Sequence, residues 1–394
     1  MRPRILFLEV LPTISGGQRV LLDLMPALTE RFDVTVVVPG NGPFAHALQQ
    51  HGAAVTLVPM AGFTLVSKGW RDLMSFALDT PRLALTLRAT IRQRDAQLVY
   101  ANSSRAFIWG ALGARLAGRP VIWHAHNILG DRKTLALVQW LARMKTVCRI
   151  VCASEEAAAQ FPQQQDKVTI TSQGVDLDHF APSPGLRAAA RAELGLAPNA
   201  PVAGIIGDLI PLKGQDVFIR AAALAAQSVP STVFLVIGDE RPTDESRHYK
   251  LSLESALCNS QSAIRLLGFQ PNIAATLNAL DVLVVASTTE TGPLVLMQAL
   301  ACGVPVLSTP VGWASQLLSD GACGDLYPVN DHAALAEKLT HLLTHPDVRA
   351  SMNQAARQRA IERLNLQHSQ ARIVALIEES LRAQGDNHEA GRKA

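Results

Sequence analysis

A carboxylate, a tight turn and a short apolar helix stand in unbroken order at Glu290-Thr-Gly-Pro-Leu-Val-Leu-Met-Gln298, which runs on into Ala-Leu-Ala-Cys-Gly303-Val-Pro305. Proline has a fixed φ and no N–H, so Pro293 suits the first position of a helix, and Gly303 with Pro305 ends it. The amides of Leu294 and Val295 are then left facing outward, and with the helix dipole they form a site for phosphate. Glu290, just ahead of that site, would meet the hydroxyls of a sugar carried on the phosphate. The chemistry implied is the handling of a phosphate-activated sugar.

Three further segments could work with it. Gly207-Asp-Leu-Ile-Pro-Leu-Lys213-Gly214 leaves an apolar strand and enters a helix near Gln215. Glycine lets backbone approach a ligand, and a lysine at a helix entrance supplies a mobile point charge for phosphate. By itself a lysine before a glycine is most often just solvated. The Gly-Lys-Ser/Thr ending of a P-loop is absent. Ser15-Gly16-Gly17-Gln-Arg19 follows the first strand and opens the first helix, but it lacks the three glycines of a dinucleotide fingerprint, which argues against a nicotinamide enzyme. It reads as a plain tight turn or as a backbone loop beside a ligand. His124-Ala-His126-Asn127 ends a strand with its imidazoles alternating. His126 is expected to hydrogen-bond sugar. Two histidines with only Asp131 nearby do not make a metal site.

Positioning these segments requires strands that end beside one another. Short apolar runs alternate with helical patterns along the chain, which indicates parallel sheets covered by helices. The expected strands are 5–10, 34–38, 54–58, 98–101, 121–123, 150–153 and 168–171 in the first half. Those of the second half are 202–206, 233–237, 264–267, 282–285, 306–308 and 325–327. A Pro-rich stretch at Pro182 and Pro184 marks a linker. Two Rossmann-like doubly wound domains are therefore expected, at 1–183 and 184–365, with the carboxyl ends of their strands on a central cleft where ligands bind in such folds. Residues 366–384 should form a helix, through Ile373, Val374, Ile377 and Leu381, that packs back on the first domain. The polar tail 385–394 is expected to fray.

Composition narrows the class. The chain has 394 residues, 48% of them hydrophobic and 18% charged, which suits two cores rather than disorder. Residues 1–186 carry 19 Lys/Arg against 13 Asp/Glu and the remainder 17 against 20, so behind the +3 net charge the first half is basic and the second mildly acidic. A basic half could face an anionic membrane or an anionic acceptor, or simply solvent. No run is long enough to span a bilayer, and the apolar start is broken by Glu9, so it reads as a buried strand and not a leader. The five cysteines are odd in number and lie in apolar contexts, which argues against a disulfide framework. The expected location is cytoplasmic. Between Val66 and Arg94, Lys68, Arg71, Arg82, Arg88, Arg92 and Arg94 alternate with Trp70, Leu73 and Phe76, a mixture able to rest on an anionic bilayer at its inner face or to pack as an ordinary amphipathic helix.

Taken in order, the Gly-Gly loop, the strand-borne histidine, the 207–214 element and the Glu290-to-Gln298 helix resemble the retaining nucleotide-sugar glycosyltransferases of family 4, with the GT-B fold. The resemblance covers nearly the whole chain and is most specific from Asp281 to Tyr327. It implies transfer of a sugar from a nucleoside diphosphate donor to a glycan or lipid-linked acceptor in cell-surface polysaccharide or glycolipid synthesis, with retained configuration and no bound metal or other cofactor. Nucleic acid is not an expected partner. By the resemblance, Gly16 and Gly17 match the glycine loop, His126 the histidine near the donor sugar, Lys213 the diphosphate-binding lysine and Glu290 the first acidic residue of the motif. Gly292, Pro293, Leu294 and Val295 match the segment whose amides hold the donor. Gly207 belongs to the phosphate turn, and Gly268 with Phe269 resembles the region beside the nucleobase.

The chain also departs from the pattern. Asp208 stands where the family commonly has arginine, Gln298 where a second glutamate binds ribose, Trp313 where a second glycine often follows Gly312, Gln316 where glutamate is frequent, and Gln173 in place of asparagine. Replacing a cation by an anion beside phosphate costs several kcal/mol if nothing compensates. Two other readings stay open at this point: a catalytically silent relative acting as a binding or regulatory protein, and a nucleotide-sugar epimerase of the same architecture.

Overall fold

The computed structural model describes residues 2–14, 16–60, 70–258 and 264–393, the side chains of 70–73, 75 and 385–393 excepted. Ser15 and Lys68 lie outside the described residues, as do the side chains of Trp70, Arg71 and Leu73. The chain forms two compact units, Met1–Gln173 with Gln367–Ala394, and Gly174–Leu366. These boundaries differ from the expected 183/184 and 365/366, because the backbone around Val175 is tied to the end of the second unit. The Val175 amide donates to the Leu364 carbonyl at 2.7 Å, and a Cβ on Gly174 would lie 2.3 Å from the Leu366 Cα.

The first unit is a seven-stranded parallel sheet in the order β3-β2-β1-β4-β5-β6-β7. Its strands are β1 (Arg4–Leu8), β2 (Asp33–Val38), β3 (Ala54–Leu57), β4 (Leu98–Ala101), β5 (Val121–Ala125), β6 (Val147–Cys152) and β7 (Val168–Ile170). The central strands β4 and β5 are buried along their whole length. That is why their sequences are continuous apolar runs rather than alternating ones. Helices Trp70–Gln93, Ser104–Ala117 and Arg132–Ala142 share one hydrophobic cluster with them. The last helix, Leu366–Lys393, continues past Gln384 through the segment expected to fray.

The second unit is a six-stranded parallel sheet in the order β10-β9-β8-β11-β12-β13. Here the strands are β8 (Val202–Ile206), β9 (Val233–Ile237), β10 (Ile264–Gly268), β11 (Val282–Val285), β12 (Val306–Ser308) and β13 (Gly324–Leu326). An aspartate fixes its lower edge. Asp281 receives Arg187 at 2.7 Å and the buried Arg191 at 2.9 Å, and it accepts the Val202 amide at 2.8 Å.

In each sheet the order reverses once, between β1 and β4 and between β8 and β11. At such a switch point the connecting helices depart to opposite faces and leave a crevice beyond the strand ends. Glu9 and Asn102 are the first residues beyond β1 and β4; Gly207 and Ala286 are the first beyond β8 and β11.

Candidate functional site

In the second unit, β8 ends at Ile206 and, after Gly207, the chain makes a tight turn over Pro211–Lys213 before the helix Gln215–Ser228. Gly214 has φ of 67°, and a Cβ there would lie 2.3 Å from the Ala286 carbonyl oxygen. Only glycine lets this turn press against the end of β11. The Thr288 amide locks the approach by donating to the Leu212 carbonyl at 3.0 Å. Lys213 is thereby brought to Glu290, and the two form an ion pair with side chains 25% and 17% exposed. Ser287 Oγ donates to the same Glu290 oxygen at 3.2 Å. An ammonium carries three donors and no acceptor, so Lys213 can hold Glu290 and still offer hydrogen bonds to an incoming oxyanion.

The helix after Glu290 spans Leu294–Ala301, with Pro293 as its cap and not, as expected, its first helical residue. Pro293 has ψ of 101°, extended rather than helical, so the turn from Gly292 consumes one more residue before the helix starts. The amides of Leu296 and Met297 return to the Pro293 carbonyl at 3.0 and 3.4 Å. Those of Leu294 and Val295 have no partner among the described residues, which leaves two donors at the positive end of the helix dipole. Gly312, at φ 49°, holds this turn from the other side, since a Cβ would meet the Thr291 carbonyl oxygen at 2.5 Å. Trp313 packs against the apolar core of the unit. Phe269 lies 71% exposed beyond β10 after Gly268, a ring face open to stacking. The half-buried Gln298 side chain makes no hydrogen bond to a described residue.

The first unit's switch point is built differently. Glu9 is fully buried; its carboxylate accepts the Val10 amide at 2.7 Å and Asn102 Nδ2 at 2.8 Å. Burial pushes the Glu9 carboxyl above its usual range, against these hydrogen bonds, which hold it down. Asn102 Oδ1 faces His126 Nε2 at 2.9 Å, and Gln173 Nε2 faces His126 Nδ1 at 3.4 Å. An amide oxygen only accepts and an amide nitrogen only donates, so the string assigns His126 a proton on Nε2 and a lone pair on Nδ1. Burial takes the His126 pKa down to about 4, so the ring is neutral. His124 is lowered too, by burial and then by its neighbour His126, and Tyr100 Oη lies 2.8 Å from its Nδ1. Gly17 sits against the His126 ring, at 3.7 Å from where its Cβ would be, while a Cβ on Gly16 would meet open space. The buried Gln173 Oε1 has no partner, which leaves one acceptor beside the histidine.

Both ring nitrogens of His126 thus have protein partners, so the expected hydrogen bond to sugar would share or replace one of them. Glu9, Asn102 and Ser287 escaped the sequence reading, although each lies at or next to a strand end at a switch point. Asp208, expected there to be costly beside phosphate if nothing compensates, is met by Arg241, whose Nε donates to Asp208 Oδ2 at 2.7 Å.

Residues 14–179 match the family described as Glycosyltransferase Family 4, and residues 187–359 match Glycosyl transferases group 1. The two matches meet near the linker; the second takes in the whole switch point between β8 and β11, and the first covers that between β1 and β4 except for β1 and Glu9. The chain belongs to the family 4 glycosyltransferases. This glycosyltransferase is 26% identical over 380 residues, 92% of its length and 93% of the other, to the UDP-Gal:alpha-D-GlcNAc-diphosphoundecaprenol alpha-1,3-galactosyltransferase of Escherichia coli. It is 31% identical over 274 residues, 64% of its length and 58% of the other, to the D-inositol 3-phosphate glycosyltransferase of Streptomyces avermitilis. Its fold is GT-B. The crystal structure of Anabaena HepE in complex with UDP and glucose matches it with a TM-score of 0.81 at 23% identity, over 96% of this chain and 100% of that one. Among its described residues, no three His, Cys, Asp or Glu side chains gather where a metal could be held, and no helix is long and apolar enough to cross a membrane.

Proposed function

We propose that this glycosyltransferase binds a nucleoside diphosphate sugar in its second unit and transfers the sugar, with retention, to a lipid-linked or glycan acceptor. The observation that carries the reading is the cluster of Lys213, Glu290 and Ser287 beside the open amides of Leu294 and Val295. Lys213 and the two amides meet the diphosphate, and their positive charge is what the leaving group needs as the bond breaks, with no metal in that role. Glu290 orients the sugar hydroxyls, Phe269 offers its face to the base, and Gln298 offers an uncharged amide to ribose. The bond from the anomeric carbon to the diphosphate oxygen breaks while the acceptor oxygen bonds to the same carbon on the same face. The acceptor proton passes to the departing phosphate oxygen. His126, held neutral, joins Glu290 in this reading as a group that orients the transferred sugar.

A lipid-linked acceptor is supported by the Escherichia coli relative, whose name specifies a diphosphoundecaprenol acceptor, and by the outer surface of the first unit. Met74, Leu78 and Leu85 form one exposed stripe of the helix Trp70–Gln93, with Leu78 72% exposed, and Leu137 and Trp140 are exposed on Arg132–Ala142. Arg82, Arg132 and Lys133 stand exposed among them. Aromatic and aliphatic side chains among cations suit the headgroup level of an anionic membrane, here the inner face seen from the cytoplasm. Flotation with phosphatidylglycerol vesicles should carry the protein upward, and Leu78→Glu with Trp140→Glu should abolish it. Equal recovery with neutral phosphatidylcholine would remove the electrostatic part of the idea.

The deciding experiment for the donor is thermal stability against UDP, GDP, ADP and their sugars, with Lys213→Ala alongside. A shift with one nucleotide series that the variant loses fixes the donor class, since a ligand of the folded state raises the melting temperature by mass action. No shift with any of them overturns the reading. Sugar transfer to an added acceptor, without isomerised donor in its absence, excludes an epimerase.

A further inference from the structure

A carboxylate one residue past Gly207 would repel a diphosphate, yet Asp208 is not left bare. Arg241, from the loop after β9, places Nε at 2.7 Å and a terminal nitrogen at 2.6 Å from the same oxygen, Asp208 Oδ2. A guanidinium has five N–H donors, and this grip uses two of them. The remaining three have no partner among the described residues, and the Arg241 side chain is 38% exposed.

The loop that carries Arg241 is laced to the loop that carries Asp208. The Arg241 amide donates to Ser246 Oγ at 2.8 Å, and Ser246 Oγ donates to the Leu209 carbonyl at 2.6 Å. The Leu209 amide donates in turn to the Asp239 carbonyl at 3.0 Å, and Lys250 Nζ donates to Asp239 Oδ1 at 2.8 Å. Gln215 Nε2 fixes the backbone of Asp208 itself, at 2.9 Å from its carbonyl oxygen. The guanidinium is therefore held at the same turn along which the Lys213 stem lies, 3.6 Å from where a Gly207 Cβ would be.

We propose that Arg241 is a second diphosphate-binding cation of this enzyme and that Asp208 is the positioning residue that aims it. The inference rests on the donor reading above. An exposed ion pair of this kind contributes little to stability on its own. A tethered guanidinium with a free edge, by contrast, is suited to bidentate contact with phosphate oxygens. The cation that the sequence lacks at position 208 is supplied in space from another strand end, and the anion at 208 becomes its anchor instead of a defect.

Titration calorimetry with UDP, and with GDP and ADP in parallel, tests this on the full-length protein and on Arg241→Ala, Asp208→Ala and the double variant. Arg241→Ala is expected to weaken binding of the preferred nucleoside diphosphate by about 10- to 100-fold, the loss of a charge-assisted hydrogen-bonded pair. Binding of the corresponding nucleoside, which has no phosphate, should not change. Asp208→Ala should weaken binding by less, and the double variant should be no weaker than Arg241→Ala, because an anchor without its cation has nothing to aim. Arg241→Lys should recover part of the loss. All variants should melt close to wild type without nucleotide.

Unchanged nucleoside diphosphate affinity in Arg241→Ala, with normal wild-type binding, overturns the inference and leaves the donor reading standing. Tighter binding in Asp208→Ala overturns the positioning role, since it would make the carboxylate a plain repeller. A wild-type protein that binds none of the three nucleotides removes the donor reading and this inference together.

Discussion

The two switch points of this enzyme use opposite electrostatic means at equivalent places in their sheets. Beyond β1 and β4 the polar groups are buried and strung in one line, Glu9 to Asn102 to His126 to Gln173, with a neutral histidine. Beyond β8 and β11 the groups are ions in pairs, Lys213 with Glu290 and Arg241 with Asp208, each pair in reach of solvent. A buried string with one consistent set of donors and acceptors resists rearrangement, because breaking any bond leaves a buried group unpaired. Partly exposed pairs exchange partners cheaply. The first unit is thus built to hold a fixed shape, and in the donor reading proposed above the second stays neutral while empty and turns its cations over to an incoming dianion.

Glu290 offers the largest test of that contrast. Glu290→Gln is expected to lower turnover by about 10²- to 10³-fold, on the scale of losing one group that stabilises the transition state. The same change releases Lys213 from its carboxylate, so nucleoside diphosphate affinity should hold or rise. Steady-state kinetics with calorimetry would separate the two effects, and a parallel loss of affinity would show the pair to be a structural unit and not an exchangeable one. Lys213→Ala comes next. Affinity should drop by roughly 100-fold, and the salt dependence of binding should flatten, because one of the charges that salt screens is gone. An unchanged salt profile would mean that the ammonium does not face the phosphates.

In the first unit the smaller change Glu9→Gln is expected to matter through hydrogen-bond sense alone. A glutamine amide keeps only one acceptor, so its nitrogen must face either the Val10 amide or Asn102 Nδ2, and both of these are donors. Turning Asn102 over to meet that nitrogen would set the Asn102 nitrogen against the His126 Nε2 proton. One mismatch must remain somewhere along the string, at a cost of about 1 to 3 kcal/mol. Turnover should fall by about tenfold through the displaced histidine, with nucleotide affinity intact. A variant as stable and active as wild type would break the idea of a directional string.

The same contrast governs what could be read from sequence. The strands, the doubly wound order, the Lys213 turn and the Glu290 helix are written locally, in apolar runs and in glycine and proline punctuation, and these were legible. Even so, Pro293 caps its helix and does not begin it, since the turn from Gly292 was one residue longer than periodicity could tell. The partners were not legible. Glu9 looks like an interruption of an apolar run, and its partner Asn102 lies 93 residues away; Arg241 lies 33 residues from Asp208. Such pairs are chosen by which strands become neighbours. Knowing the strand order, the residues next past β1 and β4 would have been the place to look.

The finest test uses pH. The His126 pKa is about 4 in the folded protein, against an ordinary value near 6.5, so between those values the unfolded chain binds more protons. Stability should therefore rise with pH across that window and level off above it. Going from pH 7 down to 5.5 removes roughly 1 kcal/mol for such a histidine, or about 2 to 4 °C of melting temperature for a unit of this size. His124 is lowered as well and adds in the same direction. Glu9 opposes them, because a carboxyl held above its usual range costs stability as pH rises past its unfolded value. Comparing wild type with His126→Gln removes the titration of His126 together with that ring's share in lowering His124, while Glu9 remains in both. The difference between their melting temperatures should shift steadily in the variant's favour as pH falls from 7 to 5.5. A difference independent of pH would mean that His126 titrates normally, and the string could then not be the dry, directional element that sets the first unit apart from the second.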